Sequence, residues 1–94
     1  MGVRERKVEK YLDDEVKKAG GITRKWVSPG RDGVPDRIVF HFSKVYFVEV
    51  KTIDGELSKN QYREHKRLIS KGARVFTVYG NSGVDKWIRE VMLK

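Results

Sequence analysis

The spacing of apolar residues divides the chain into helices and strands. Near the N-terminus, apolar residues recur at steps of three and four, at Val8, Tyr11, Leu12, Val16 and Ala19. This spacing places them in one stripe along a helix, which we predict from about residue 3 to residue 19. Gly20-Gly21 then ends the helix, because glycine adopts the left-handed conformation without a Cβ penalty.

Segments rich in β-branched and aromatic residues predict four strands, at residues 22–27, 36–42, 45–52 and 73–79. A loop with two glycines and two prolines, residues 28–35, joins the first two strands. We place the turn between the second and third strands at Ser43-Lys44. The third strand is the most apolar, and we therefore expect it to be central and buried on both faces.

A capping box marks the start of the second helix. Ser58 is a favourable N-cap, and Gln61 stands three residues after it, so that each side chain can accept a hydrogen bond from the other's backbone N–H. This helix runs to about residue 71, where Gly72 ends it. A turn at residues 80–83 and a closing helix at residues 84–93 complete the prediction.

The order of elements, α-β-β-β-α-β-α, predicts an α/β fold with a mixed sheet flanked by helices. The first three strands are close together in sequence, and we expect them to form an antiparallel meander. The last two strands are separated by a helix, so we expect them to be parallel, with a right-handed crossover.

Composition excludes several classes of protein. A length of 94 residues predicts a single domain, residues 1–94. Cysteine is absent, which excludes a disulfide scaffold, a Cys-ligated zinc or iron–sulfur site and a cysteine nucleophile. No apolar run approaches the roughly 20 residues of a membrane span, and the charged first ten residues are unlike a signal peptide. We therefore expect a cytoplasmic protein with no membrane partner.

The charge balance indicates a polyanionic partner. Lys and Arg number 21 against 13 Asp and Glu, which gives a net charge of +8. Nucleic acid is the simplest partner for such a surface. Composition alone is equally typical of a ribosomal or histone-like protein.

Three charged residues stand in unusual places in the predicted strands. Asp36 opens the second strand directly after Pro35, whereas Glu49 and Lys51 interrupt the apolar third strand. Residues two apart share a face of a strand, so Glu49 and Lys51 lie on one face. If the two strands pair through their turn, Asp36 approaches the Glu49–Lys51 end. Two carboxylates and an ammonium group then meet at one edge of the sheet.

Such a cluster has a chemical and an ordinary interpretation. Two close carboxylates repel unless a cation lies between them, and Mg²⁺ or Mn²⁺ prefers oxygen ligands. Such an ion binds phosphate oxygens and lowers the pKa of a bound water, while Lys51 would orient that water and stabilise transition-state charge. The ordinary interpretation is a salt bridge at a sheet edge, although burying Glu49 in mid-strand is costly.

These residues also form part of a longer pattern. Gly33-Val34-Pro35-Asp36 followed by Phe47-Val48-Glu49-Val50-Lys51 resembles the PD-(D/E)XK nuclease signature. With Lys25-Trp26-Val27-Ser28-Pro29-Gly30-Arg31 and Gln61-Tyr62-Arg63-Glu64-His65, the chain is similar to the VRR-NUC family over nearly its whole length. The resemblance implies a restriction-endonuclease-like fold and a stand-alone domain of the phage or bacterial kind, located in a bacterial or phage-infected host cell. It also implies a Mg²⁺- or Mn²⁺-dependent endonuclease, similar to homodimeric Holliday-junction resolvases.

The resemblance assigns roles to individual residues. Asp36 and Glu49 would ligate the metal with the Val50 carbonyl, and Lys51 would position the attacking water. Gln61 would face the site, which competes with its part in the capping box unless its side chain switches partners.

The resemblance also implies an acidic residue from the first helix. Glu5 and Glu9 are four residues apart and share a helix face, and the sequence does not decide between them. Both could equally be solvated residues among the basic residues of that helix.

Basic residues before and after the motif form a candidate DNA-binding surface, namely Lys25, Arg31, Arg37, Lys59, Arg63, Lys66 and Arg67. Contacts of this type position DNA without reading bases. Ser28 and His65 are further candidates for contact with phosphate, although turn chemistry and a structural histidine are the ordinary explanations. Glycines in the 28–35 loop would let it close over DNA.

The sequence therefore predicts a structure-selective endonuclease acting on branched DNA or Holliday junctions. A non-catalytic basic nucleic-acid-binding module and a restriction-type nuclease are the alternatives.

Overall fold

The chain folds in the predicted order of elements, and the computed structural model describes residues 2–94. Its helices are α1 (Val3–Lys18), α2 (Lys59–Ser70) and α3 (Gly80–Trp87), the last continued by a π-helical turn, Ile88–Met92. Its strands are β1 (Ile22–Lys25), β2 (Arg37–His41), β3 (Lys44–Lys51) and β4 (Val75–Tyr79). No helix within residues 2–94 combines the length and the apolar character needed to cross a bilayer.

The four strands form one mixed sheet in the order β1-β2-β3-β4. The pairs β1–β2 and β2–β3 are antiparallel, and β3–β4 is parallel with α2 in the crossover. The predicted meander and parallel pair are therefore confirmed.

Two predicted turns are wrong in detail. Phe42 and Ser43, not Ser43-Lys44, form the hairpin turn, with φ of 45° and 65°, and His41 pairs with Lys44. Positive φ at both central residues gives the turn a twist that matches the strands. Residues 80–83, predicted as a turn, begin α3, because Asn and Ser suit a first helical turn as well as a loop.

The hydrophobic core lies between the sheet and the α1–α3 pair. Tyr46, Val48 and Val50 of β3 are buried on this face, and the Tyr46 ring meets Trp87 edge-on at 5.3 Å between centroids. Side chains on the opposite face of β3 point toward α2, because alternate residues of a strand face opposite ways. That second face carries the charged residues of the candidate site.

The loop before β2 packs closely against the start of α2. Gly33 has a φ of +89°, and a Cβ atom at this position would lie 2.6 Å from the carbonyl oxygen of Asn60. Gly30 in the same loop has a φ of +80°, but a Cβ there would meet nothing within 4 Å. The approach at Gly33 therefore ties the segment that leads to Asp36 to the first turn of α2.

This contact predicts different costs for two alanine substitutions in one loop. Gly30→Ala should lower the free energy of unfolding by about 1 kcal/mol, because a side chain is strained at positive φ. Gly33→Ala carries that strain and also displaces α2, which should cost about 1–3 kcal/mol more. Urea unfolding of both variants measures the difference. Equal losses would mean that the loop is not packed against α2 as described.

Candidate active site

Asp36 lies against the C-terminal end of β3. It immediately precedes β2, whose first residue, Arg37, pairs with Val48. One carboxylate oxygen of Asp36, Oδ2, accepts a hydrogen bond of 2.8 Å from the backbone N–H of Val50. The structure thus brings Asp36 to the Glu49–Lys51 end of the neighbouring strand, as strand pairing predicts.

Glu49 is the most deeply buried charged group near this edge, with 1% of its surface exposed. Its Oε2 accepts a 3.1 Å hydrogen bond from Nε2 of Gln61 and lies 3.5 Å from Nζ of Lys51. Its Oε1 has no hydrogen-bond partner within the described chain. Lys51 is itself 8% exposed, so the ion pair between Lys51 and Glu49 is largely shielded from solvent.

The pKa of Asp36 reflects its burial and its neighbours. Burial raises the pKa of Asp36 to about 7; the Val50 N–H opposes this rise, and the Glu49 carboxyl adds to it. Without a cation, the Asp36 carboxyl group therefore retains a proton closer to neutral pH than an ordinary aspartate does. We call Asp36 and Glu49 the acidic pair.

The acidic pair fits a hard divalent cation. The buried Asp36 carboxyl group, whose pKa is raised, and the Glu49 carboxyl group, which has a buried unpartnered oxygen, match the oxygen ligands that Mg²⁺ and Mn²⁺ take. Residues 2–94 contain no group of three or more His, Cys, Asp or Glu placed to hold a metal. Further ligands would therefore be backbone oxygens, water or substrate, as is usual for Mg²⁺.

The Val50 carbonyl is a suitable backbone oxygen. If the pairing of Arg37 with Val48 continues two residues further, Pro35 stands opposite Val50. Proline has no N–H, so it cannot donate to this carbonyl. The Val50 N–H is already directed to Asp36, which keeps this part of the backbone next to the acidic pair.

Gln61 contacts the acidic pair and caps α2 at the same time. Its Oε1 accepts a 3.0 Å hydrogen bond from the backbone N–H of Ser58, while its Nε2 donates to Glu49. The expectation that one role excludes the other is therefore wrong. The amide has an acceptor and a donor end, and the cap holds the donor end toward the carboxylate.

Glu9 and Glu5 do not join Asp36 and Glu49 in a set of three ligands. Glu9 is buried, and its carboxylate accepts hydrogen bonds from Lys25 at 3.0 Å and Arg37 at 2.6 Å. It still contributes to the raised pKa of Asp36. Glu5 lies one turn earlier and is half-buried.

Two expected DNA contacts are engaged inside the protein. Arg37 has 21% of its side chain exposed and also pairs with Asp13 at 3.0 Å. His65, considered for a phosphate contact, is buried beside Glu49 with 5% of its surface exposed. Lys25 keeps 46% of its side chain exposed despite its bond to Glu9. Ser28 is half-buried, and its carbonyl accepts a hydrogen bond from the Arg31 N–H.

The remaining basic candidates are exposed beside the site. A cleft of about 240 Å³ between the glycine-rich loop and α2 is lined by Arg31, Arg63 and Arg67. Sequence reasoning missed Glu64, which is buried in the lining of this cleft and accepts a 2.9 Å hydrogen bond from Arg67. The i,i+3 spacing of the pair is the only signal that the sequence offers. Lys59 and Lys66 are also exposed on α2.

Comparison with known proteins identifies chains that are similar to this one. The chain is 47% identical over 77 residues, 81% of its length and 83% of the relative's, to "Putative nuclease p44" of Acyrthosiphon pisum secondary endosymbiont phage 1. A solved structure described as "VRR_NUC domain" superposes with a TM-score of 0.86 at 33% identity, over 96% of this chain and 99% of that one. No family model matches the chain.

The raised pKa of Asp36 predicts a pH dependence of stability in the metal-free protein. The folded carboxyl group retains a proton that the unfolded chain releases, so stability is lost as pH rises from about 4 toward 7. Asp36→Asn is neutral throughout and should lose less stability over this range. Urea unfolding in EDTA from pH 4 to pH 8 measures both slopes. Parallel slopes would contradict the burial of this carboxyl group.

Proposed function

Because the chain belongs to the VRR-NUC family of nucleases, we propose that it hydrolyses phosphodiester bonds of branched DNA with Mg²⁺ or Mn²⁺ at the acidic pair. The observation that carries this proposal is the meeting of Asp36, Glu49 and Lys51 at one sheet edge. An ordinary salt bridge would need only one of the two carboxylates. The presence of a second carboxyl group, Asp36, with a raised pKa points to a bound cation.

Asp36, Glu49 and the Val50 carbonyl would hold the cation. When bound, it would polarise the scissile phosphate and lower the pKa of an attacking water. Asp36 is kept in place by the Val50 N–H, and Glu49 by the Gln61 amide. These fixed donors mean that little rearrangement is needed when the substrate arrives.

Lys51 supplies the positive charge that the reaction requires. Its ammonium group lies 3.5 Å from Oε2 of Glu49, on the face of β3 that looks toward α2. From there it orients the attacking water and stabilises the charge that develops on the phosphate oxygens. Because Lys51 is almost fully buried, its interaction with that charge is weakly screened.

The exposed basic residues around the site would hold the DNA backbone. Lys59, Arg63, Lys66 and Arg67 on α2 and Arg31 on the loop lie outside the ion pairs of Glu9. Arginine and lysine contacts to phosphates carry no sequence information, and each steepens the salt dependence of binding. This mode of contact favours selection of DNA by shape, and Holliday junctions are one candidate substrate.

A second copy of the chain is the proposed partner. Ile22, Phe40 and Val45 are successive cross-strand partners, so they share one face of the sheet. They are 51%, 38% and 40% exposed, and Phe42 beside them is 85% exposed. A contiguous apolar patch of this kind is typical of an interface between proteins.

A cleavage assay with four-way, forked, flapped and linear DNA tests the proposed activity. We expect cutting of branched DNA with Mg²⁺ or Mn²⁺ and none in EDTA. Lys51→Ala should bind the same DNA and lose at least about 100-fold in rate, the scale of one lost electrostatic contact to the transition state. Lys44→Ala, at the exposed opposite end of β3, is the matched control.

The assay separates the alternatives. Binding without cleavage in both metals would favour a non-catalytic nucleic-acid-binding module, and cutting of linear DNA at one sequence would favour a restriction-type nuclease. Full activity of Lys51→Ala would contradict its catalytic role.

Light scattering at micromolar concentration tests the dimer. We expect a mass near twice 11.0 kDa. Phe40→Glu should yield monomers because it places a charge in the apolar patch, whereas Ile69→Glu on α2 should leave the mass unchanged. A wild-type mass of one chain would refute the dimer.

A further inference from the structure

His65 and Glu49 are two buried groups that face each other without completing a hydrogen bond. Nε2 of His65 lies 3.6 Å from Oε1 of Glu49. Neither atom has another hydrogen-bond partner within the described residues. Buried polar atoms are nearly always hydrogen-bonded, so each exception needs an explanation. The unpartnered atoms of His65 and Glu49 are adjacent, and a small movement would let them form a hydrogen bond with each other.

We propose that His65 is a positioning residue that donates its Nε2–H to Oε1 of Glu49 and thereby strengthens cation binding by the acidic pair. This inference rests on the proposed function. Nε2 carries a hydrogen in one of the two neutral tautomers of histidine as well as in the charged form. The donation therefore does not require a charged imidazole.

The position of His65 on α2 supports this role. It lies four residues after Gln61, so the two side chains project from the same face of the helix one turn apart. Gln61 already donates to Oε2 of Glu49. With His65 on Oε1, each oxygen of the carboxylate has a donor from the same helix, and rotation of the group is prevented.

Two donors still leave room for a cation. Each carboxylate oxygen has two lone pairs, so one hydrogen bond on each leaves a lone pair on both. Hydrogen-bond donors to a ligating carboxylate orient it toward the metal. Their removal commonly lowers metal affinity or activity by roughly 10- to 100-fold. His65 would therefore act on the cation through Glu49 and not by direct contact.

The chain contains a matched control for His65. His41 is also buried, with 6% of its surface exposed, and its Nε2 also has no hydrogen-bond partner within the described residues. His41 pairs with Lys44 at the hairpin end of the sheet. Lys44 precedes Glu49 by five residues along β3, so His41 lies far from the acidic pair. The two histidines share burial and an unpartnered nitrogen, and only His65 faces the acidic pair.

Calorimetric titration with Mn²⁺ tests the inference directly. His65→Ala should weaken Mn²⁺ binding on the order of tenfold. His65→Gln, which keeps an N–H donor at a similar reach, should retain near wild-type affinity, and His41→Ala should match the wild type. DNA affinity in EDTA should be the same for all four proteins, because His65 does not contact phosphate.

A double-mutant cycle in the metal-free protein supplies a readout independent of cation binding. His65→Ala and Glu49→Ala, each of which removes one partner of the hydrogen bond, should be coupled in urea unfolding with EDTA present, so that their combined effect differs from the sum of the single effects. Additive effects would overturn the hydrogen bond. Wild-type affinity in His65→Ala, or equal losses in His65→Ala and His65→Gln, would overturn the positioning role.

The same experiments separate this inference from the proposed function. A wild-type protein that binds no Mn²⁺ would refute the function and the effect of His65 on cation binding together. The unfolding cycle would then still decide whether His65 holds Glu49. A wild-type protein that binds Mn²⁺, with no effect of His65→Ala, would refute the inference alone.

Discussion

The candidate site depends on the burial of two carboxyl groups at one edge of the sheet. Burial, and to a smaller extent the neighbouring Glu49 carboxyl group, raises the pKa of Asp36, which reflects the cost of ionising Asp36 there. Donors placed around them offset part of it: the Val50 N–H on Asp36, and Gln61 and Lys51 on Glu49. A protein that only needed stability could replace such a group with apolar residues at little loss. The arrangement is instead suited to a positively charged ligand.

Helix α2 controls the geometry of this edge. The capping box fixes its first turn and aims the Gln61 amide at Glu49. The contact of Gly33 with the Asn60 backbone ties the same turn to the loop that leads to Asp36. Both members of the acidic pair are therefore positioned from one helix end, although Asp36 precedes β2 and Glu49 lies in β3. Exposed basic residues continue along that helix, so the candidate site and the proposed DNA-binding surface share the same helix.

The sequence was most informative where local geometry determines the outcome. Alternation along β3 placed Glu49 and Lys51 on one face, and strand pairing brought Asp36 to them, because both follow from the two-residue period of a strand. The position of Ser58 and Gln61 predicted the capping box. The burial of His65 and the ion pairs of Glu9 were not predictable in this way. They depend on how α1 and α2 dock on the sheet, and helical spacing alone does not give the direction of that docking. The dual role of Gln61 was missed for a different reason, because the acceptor and donor ends of its amide serve the two contacts at the same time.

Anomalous diffraction from crystals soaked in Mn²⁺ tests the central claim most directly. If the acidic pair is a cation site, a manganese peak will lie between the carboxylates of Asp36 and Glu49, within bonding distance of both, and will vanish in Asp36→Asn crystals. Manganese bound only elsewhere on the molecule, or a peak that persists in the variant, would contradict the account.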